Sequence, residues 1–262
     1  MKILVFIKQV PATMAVEMDS ETGALKRTGH KGKLNPFDLF AIEAALELRT
    51  RFGGTITTVS MGPMAAKDSL LETIYMGIDD AYLVSDPAFA GSDVLATSRA
   101  LSQAVKTIGN FDLIICGKQT TDGDTAQVGA EIAQLLGIPH MNNVVSIEKI
   151  ESSKIVLTSE TEESRMLLEM PLPCLICVDK EVNTPRLPSF LRKKQYEDRE
   201  IKVLSLKDFK ESDEMLYGFN GSPTKVVRTF EPDEVKVNER IEGSSDEVAK
   251  RLFLALREEK LV

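Results

Sequence analysis

The sequence predicts an α/β fold: a parallel twisted sheet with helices on both faces, extended by extra short strands and a C-terminal arm. Two observations carry this. Over the first half, short apolar runs rich in β-branched residues alternate with segments whose apolar residues recur at three and four. Beyond residue 140 the pattern becomes short strands separated by charged turns, and from about residue 190 the apolar mass thins. Strand–helix alternation implies right-handed crossovers and a sheet covered on both sides.

Residues 2–7 form the first apolar run, read as a buried strand. Asn35-Pro36 opens a helix: Asn35 has a capping side chain, and Pro36 suits the first turn. Phe37, Phe40, Ala41, Ala44, Ala45 and Leu48 give that helix one apolar face, and Gly53-Gly54 ends it. Residues 55–61 are the second strand, and Gly62-Pro63 starts a helix running toward Met76. Residues 81–84 are the third strand. Ser92-Asp93 then caps a helix through Ala96, Ala100, Leu101 and Val105. Residues 113–116 are the fourth strand, followed by a turn and a helix over residues 127–136.

In the second half, residues 144–150, 154–159, 164–169 and 174–178 read as short strands that extend the sheet or form an antiparallel flap. Pro185 and Pro188 exclude helix from the first part of 182–194, which ends in Arg192, Lys193 and Lys194. Residues 205–213 are a short charged segment. Residues 218–233 are polar and loop-like, with Val226-Val227 as a docking strand. A capped amphipathic helix over 244–259, with Val248, Leu252, Phe253 and Leu256, closes the chain. The expected division is a nucleotide-binding α/β domain over 1–189 and an arm over 190–262 that packs against something else.

Composition excludes several functions. A formal charge of -8 disfavours general nucleic-acid binding. The N-terminal apolar run is interrupted by Lys8 and Pro11, too soon for a signal peptide or membrane span, and no other stretch is long enough. A soluble, cytoplasmic protein without membrane insertion is expected. Cys174 and Cys177 are spaced as C-x-x-C, but on a strand positions three apart face opposite sides, so they do not converge on a metal. His30 and His140 have no ligand partners at metal spacing. No Ser-His-Asp order, G-x-S-x-G, Walker A or G-x-G-x-x-G occurs.

The strongest local signal is the run from Gly117 to Gly129 between a strand and a helix. Gly123 and Gly129 permit close backbone approach, Thr125 offers a hydroxyl, and free amides at a helix N-terminus suit phosphate. Asp122 and Asp124 argue against a bare phosphate trap and fit capping, or bonds to sugar hydroxyls and amides. Two readings stand on this run alone: an ordinary capped loop, or a phosphate site. Four strand ends in all (residues 8–11, 61–63, 85–93 and 117–125) favour a nucleotide cleft over a plain scaffold, because ligands in such sheets bind beyond the carboxyl ends of strands.

The chain resembles the small (beta) subunit of an electron-transferring flavoprotein over nearly its whole length. The resemblance rests on Val5-Phe-Ile-Lys-Gln-Val-Pro11, Asn35-Pro-Phe-Asp38 with Ala41-Ile-Glu-Ala-Ala45, Val59-Ser-Met-Gly-Pro63, Gly117-Lys-Gln119 and Asp122-Gly-Asp-Thr-Ala-Gln-Val-Gly129. Residues 173–177, and Pro185-Arg186 with the basic tail to Lys194, complete it. It departs near Met166, where the family usually has an acidic or amide residue. The resemblance implies a fold like the adenine-nucleotide alpha-hydrolase superfamily and a heterodimer with an FAD-carrying alpha subunit, on which the arm over 190–262 docks. Conventional beta subunits hold structural AMP; the electron-bifurcating branch holds a second FAD there. Carried over, nucleotide contacts fall at Phe6, Asn35, Pro36, Phe37, Asp38, Met61, Asp122, Gly123, Asp124, Thr125, Ala126, Gln127, Val128 and Gly129, and on to Ala133.

Within the 122–129 motif conventional members tend toward Asp-Asp-Asp-Cys-Asn-Gln-Thr-Gly. Gly123, Ala126 and Val128 here resemble the bifurcating type, with less charge and polarity near a flavin dinucleotide. Residues 91–97 also resemble that branch. The resemblance then implies hydride acceptance from NADH and electron delivery along two routes. One leads through the alpha-subunit FAD to a flavin-containing dehydrogenase of acyl-CoA or 2-hydroxy acid type, the other to ferredoxin or flavodoxin. No side chain is expected to act as nucleophile or base. The alternative is a beta subunit holding AMP with no redox role. An ATP-using enzyme of the superfamily fits poorly, since Lys8-Gln-Val-Pro11 stands where a Ser-Gly-Gly-type loop belongs. Leu187, Phe190 and Leu191 resemble the loop that docks the dehydrogenase; the competing reading packs Phe190 and Leu191 onto the subunit body or the alpha subunit. Arg192, Lys193 and Lys194 either steer an acidic partner or solvate the loop.

Overall fold

A computed structural model of the chain describes residues 1–12, 32–227 and 240–262. Residues 1–227 form one compact unit and residues 228–262 a second.

The elements follow the expected alternation. They run β1 (Lys2–Phe6), β2 (Gln9–Pro11), β3 (Gly32–Leu34), α1 (Pro36–Phe52), β4 (Thr55–Met61), α2 (Lys67–Met76), β5 (Asp80–Val84), α3 (Val94–Ile108), β6 (Leu113–Gly117) and α4 (Val128–Leu136). Then come β7 (His140–Ile150), β8 (Lys154–Glu160), β9 (Arg165–Pro171), β10 (Cys174–Val178), α5 (Phe190–Tyr196), β11 (Lys202–Leu204), α6 (Gly218–Gly221) and α7 (Ser245–Glu258). Nine strands form one sheet in the order β11-β5-β4-β1-β6-β10-β7-β8-β9. Pairing is parallel from β11 to β7 and antiparallel across β7-β8-β9. The charged second-half strands therefore extend the main sheet as an antiparallel edge. β2 and β3 pair separately as a small antiparallel ribbon.

Side chains alternate between two apolar layers, as period two demands. Ile3, Val5, Ile56, Leu113, Ile115, Cys174 and Ile176 pack with Ile42, Ala45, Leu70 and Ile74 of α1 and α2. Leu4, Phe6, Val59, Ile114, Cys116, Leu175 and Cys177 pack with Ala100, Ala104, Ile132 and Ala133 of α3 and α4. Cys174 and Cys177 thus lie on opposite faces, and all three cysteines are free and buried.

Three local expectations change. α4 begins at Val128, one residue later than the periodicity suggests. Val226 and Val227 form no strand and are almost fully exposed. Residues 190–227 belong to the first compact unit rather than to an arm. β11 pairs with β5 at the sheet edge, and Phe209 and Tyr217 pack on Phe89 with ring centroids 5.5 Å away in each case. Few apolar residues suffice there because Leu206, Phe209 and Tyr217 share the apolar layer of Phe89, Leu101 and Val105 rather than building a core of their own. In the second unit, α7 opens with a capping box in which Ser244 and Glu247 exchange bonds.

Candidate functional site

The chain leaves β1 through α1 to β4, and α2 leads on to β5. α3 then crosses the opposite face to β6 on the other side of β1. Strand order reverses between β1 and β6, so a crevice opens at their carboxyl ends. The residues 6–8, 35–38 and 117–129 border it.

Asp38, in the first turn of α1, lies at the crevice base and is buried. Its Oδ2 accepts the Lys8 backbone N–H at 2.7 Å, and the Asn35 side chain and Gly117 backbone also bond to the carboxyl. Burial pushes its pKa up to about 7, against the opposing pull of those bonds and the Lys8 ammonium. Asp38 is spent on positioning the backbone rather than facing open space. Gly117 makes this approach possible: a Cβ there would lie 2.5 Å from Asp38 Oδ1 and 2.7 Å from the Phe37 carbonyl carbon.

Asn35 does not cap α1 with its side chain. Fully buried, it reaches across the crevice instead: its Nδ2 donates to the Gln119 carbonyl at 2.9 Å, and its Oδ1 accepts the Thr121 N–H at 3.3 Å. Phe6 is buried in the α3/α4 layer, while Pro36, Phe37 and Met61 are half-buried at the rim.

The loop from Asp122 to Gln127 is exposed. Asp122 does not cap α4. Both its oxygens accept Lys8 Nζ at 2.8 Å. Partial burial raises the Asp122 pKa, but the Lys8 hydrogen bond and charge outweigh it and hold the carboxyl below its usual range. Asp124 and Ala126 adopt left-handed backbone, φ 51° and 53°. Each costs on the order of 1 kcal/mol for a residue with a Cβ. Gln127 stands at the α4 N-cap and makes no side-chain cap bond, so no capping side chain covers the first-turn amides. Val128 and Gly129 begin the helix, and a Cβ at Gly129 would meet Cys177 Sγ at 2.4 Å. That contact presses the helix N-terminus against the ends of β6 and β10. A Cβ at Gly123 would meet only Thr120 Oγ1, at 3.6 Å, so Gly123 and Thr125 border open space. The donor set suits the phosphates of a nucleotide: backbone amides without a cap, an Asp122 carboxylate neutralised by Lys8, and no bulk at residue 123.

Beside it, Lys118 pairs with Asp179 at 2.6 Å. That pair borders a cavity of about 620 Å³ with Glu160, Glu162, Glu163 and Glu181 in its walls. Its acidic lining makes it unsuited to phosphate. No group of three or more His, Cys, Asp or Glu able to hold a metal occurs among the described residues.

A second constellation lies at residues 183–192. Buried Glu43 accepts from Arg186 Nε at 2.8 Å, Nη2 at 2.7 Å and the backbone N–H at 3.0 Å. Asn183 donates to the Phe40 carbonyl at 3.0 Å, and the Ser189 N–H donates to the Tyr75 carbonyl at 3.0 Å. Arg192 donates to the carbonyls of Ile74 and Ile78 and lies over the Tyr196 ring. Arg192 therefore tethers the segment to the end of α2. Leu187, Phe190 and Leu191 stay outside, 87%, 71% and 77% exposed, so Phe190 and Leu191 do not pack on the subunit body. The sequence reading placed Lys8 and Glu43 within motifs but gave their side chains no role. Glu43 carried a signal: it is flanked in sequence by Ala41, Ile42, Ala44 and Ala45, an apolar run in which a lone carboxylate needs a partner.

The fold defines the class: an open, mostly parallel α/β protein with a switch-point crevice. The electron transfer flavoprotein domain matches residues 22–208. An electron transfer flavoprotein subunit beta of Thermoanaerobacterium thermosaccharolyticum is 40% identical, with all of both chains covered. The caffeyl-CoA reductase-Etf complex subunit CarD of Acetobacterium woodii is also 40% identical over all of both chains. An acryloyl-CoA reductase electron transfer subunit gamma of Anaerotignum propionicum is 36% identical, again over all of both chains. The chain belongs to the electron transfer flavoprotein family, on its beta-subunit side. No helix among the described residues is long and apolar enough to cross a membrane.

Proposed function

We propose that this chain is the beta subunit of a cytoplasmic heterodimer with an FAD-carrying alpha subunit, and that its crevice holds FAD rather than AMP. The observation that carries the reading is the uncapped N-terminus of α4 at the switch point, beside Gly123, Ala126 and Val128. Full-length likeness to subunits named for caffeyl-CoA and acryloyl-CoA reductase complexes supports a role in electron delivery to such partners. A flavin held there would supply the redox chemistry between NADH as donor and, as acceptors, a ferredoxin or flavodoxin and, through the alpha-subunit FAD, a dehydrogenase. The protein's part is to bind and orient. The amides of Val128, Gly129 and Ala130 hold phosphate, and Asn35, Asp38 and Gly117 keep the α1 and β6 ends together. Leu187, Phe190 and Leu191 dock an acyl-CoA or 2-hydroxy acid dehydrogenase. The segment from residue 228, with the half-exposed Leu252, Phe253 and Leu254 of α7, docks on the alpha subunit.

The test is stoichiometry. Denaturing the purified heterodimer should release two FAD per complex; one FAD with one AMP would establish the non-redox alternative. Gly123→Val locates the site. The fold has room for that side chain, so the variant should purify folded with depleted crevice nucleotide. Full occupancy would move the site elsewhere.

A further inference from the structure

Lys8 lies outside the nucleotide contacts that the family resemblance implies, yet both its backbone groups and its side chain are committed. Its N–H donates to Asp38, and its carbonyl accepts the Asn35 N–H at 2.9 Å. Its ammonium crosses the crevice to both oxygens of Asp122, 114 residues away in sequence. The loop does not need this pair to stay in place, because the buried Asn35 side chain already holds Gln119 and Thr121 without any charge. The pair therefore does something that a neutral clamp cannot.

What it changes is the charge met by an incoming anion. Asp122 and Asp124 flank Gly123 just ahead of the α4 N-terminus, and both carboxylates oppose the field of that helix end. We propose that Lys8 is a specificity-determining counter-charge: it neutralises Asp122 so that the loop accepts a phosphate or diphosphate, and it sets the preference for a phosphorylated nucleotide over an uncharged nucleoside. The inference rests on the crevice being the nucleotide site. Its sign is opposite for the two partners. Loss of the lysine leaves Asp122 bare and repels phosphate. Loss of the carboxylate leaves the lysine free to attract it.

The experiment uses the heterodimer stripped of crevice nucleotide, with affinities for FAD, AMP and adenosine measured by titration calorimetry. Lys8→Met should weaken both FAD and AMP about tenfold or more and leave adenosine unchanged. Asp122→Asn should tighten FAD. The double variant should return close to wild type. The proposal is overturned if Lys8→Met binds FAD like wild type, if adenosine falls as far as FAD, or if Asp122→Asn loses FAD. It is equally overturned if the double variant is as weak as Lys8→Met, which would make the lysine a direct phosphate contact. A wild-type heterodimer that binds none of the three would overturn the crevice reading, and this inference with it. Wild-type binding with unaltered variants would overturn the counter-charge alone.

Discussion

The loop over residues 117–127 and the segment over residues 183–192 solve opposite problems. The first leaves its far end open: exposed from Asp122 to Gln127, with two left-handed residues and an uncapped helix behind it. Its ties, Asn35 and Lys8, hold only residues 119–122. The second spends its polar groups inward, on Glu43, Phe40, Ile74, Tyr75 and Ile78, and turns Leu187, Phe190 and Leu191 outward. A small charged ligand needs unspent backbone donors. A protein partner needs rigid apolar anchors, whose ordering cost is met before binding. On the proposed assignments, local satisfaction of hydrogen bonds, more than exposure, separates the two kinds of surface.

The sharpest break of this contrast is through pH at the base of the crevice. Below about pH 4 the folded and unfolded chains both carry the Asp38 proton. Between about 4 and about 7 only the folded state keeps it. Unfolding then releases a proton, so stability falls as pH rises through that window, and the full penalty is present above 7. The size is on the order of 4 kcal/mol, from about three pKa units. Urea midpoints between pH 5 and 8 should show the decline, and Asp38→Asn should flatten it. An unchanged slope in that variant would remove Asp38 as the cause.

The 183–192 segment is tested next. Leu187→Ala with Phe190→Ala should cost about 2 kcal/mol of docking, roughly thirtyfold in coupled electron transfer, with little change in stability or nucleotide content. Unchanged coupling, or a loss that follows dissociation from the alpha subunit, would end the docking assignment. Arg186→Ala should destabilise by about 2 kcal/mol, below the range for fully buried pairs because Arg186 is partly exposed. It should lower coupling while leaving crevice nucleotide intact, measured by urea unfolding beside cofactor analysis. Smallest is Ala126→Gly. Relief of the left-handed backbone, offset by the greater freedom of the unfolded chain, should raise stability by less than about 1 kcal/mol. A clear loss of stability would show that the methyl group matters more than the backbone angle.

The alternation of strands and helices was legible because each element carries its own period, and the alternating burial of residues 3–6 and 113–116 repeats that period in the two layers. The crevice was legible as a set of strand ends. The roles of particular side chains there were not. Asn35 has the residue type of a cap but bonds to a loop 84 residues on, and Asp122 has the same ambiguity. Local propensity names what a side chain can bond to, while the strand order supplies the partner.

From sequence alone came the fold class, the opposite orientation of Cys174 and Cys177, and the family motifs, all properties of short spacing or ordered residues. Only the tertiary structure decided that Lys8 meets Asp122, that Glu43 anchors Arg186, and that the body continues to residue 227. Those pairings span about 110 to 140 residues, and they exist because the crossover between β1 and β6 and the folding of residues 183–192 onto α1 bring distant groups together. No periodicity in the chain encodes such distances. They follow from topology.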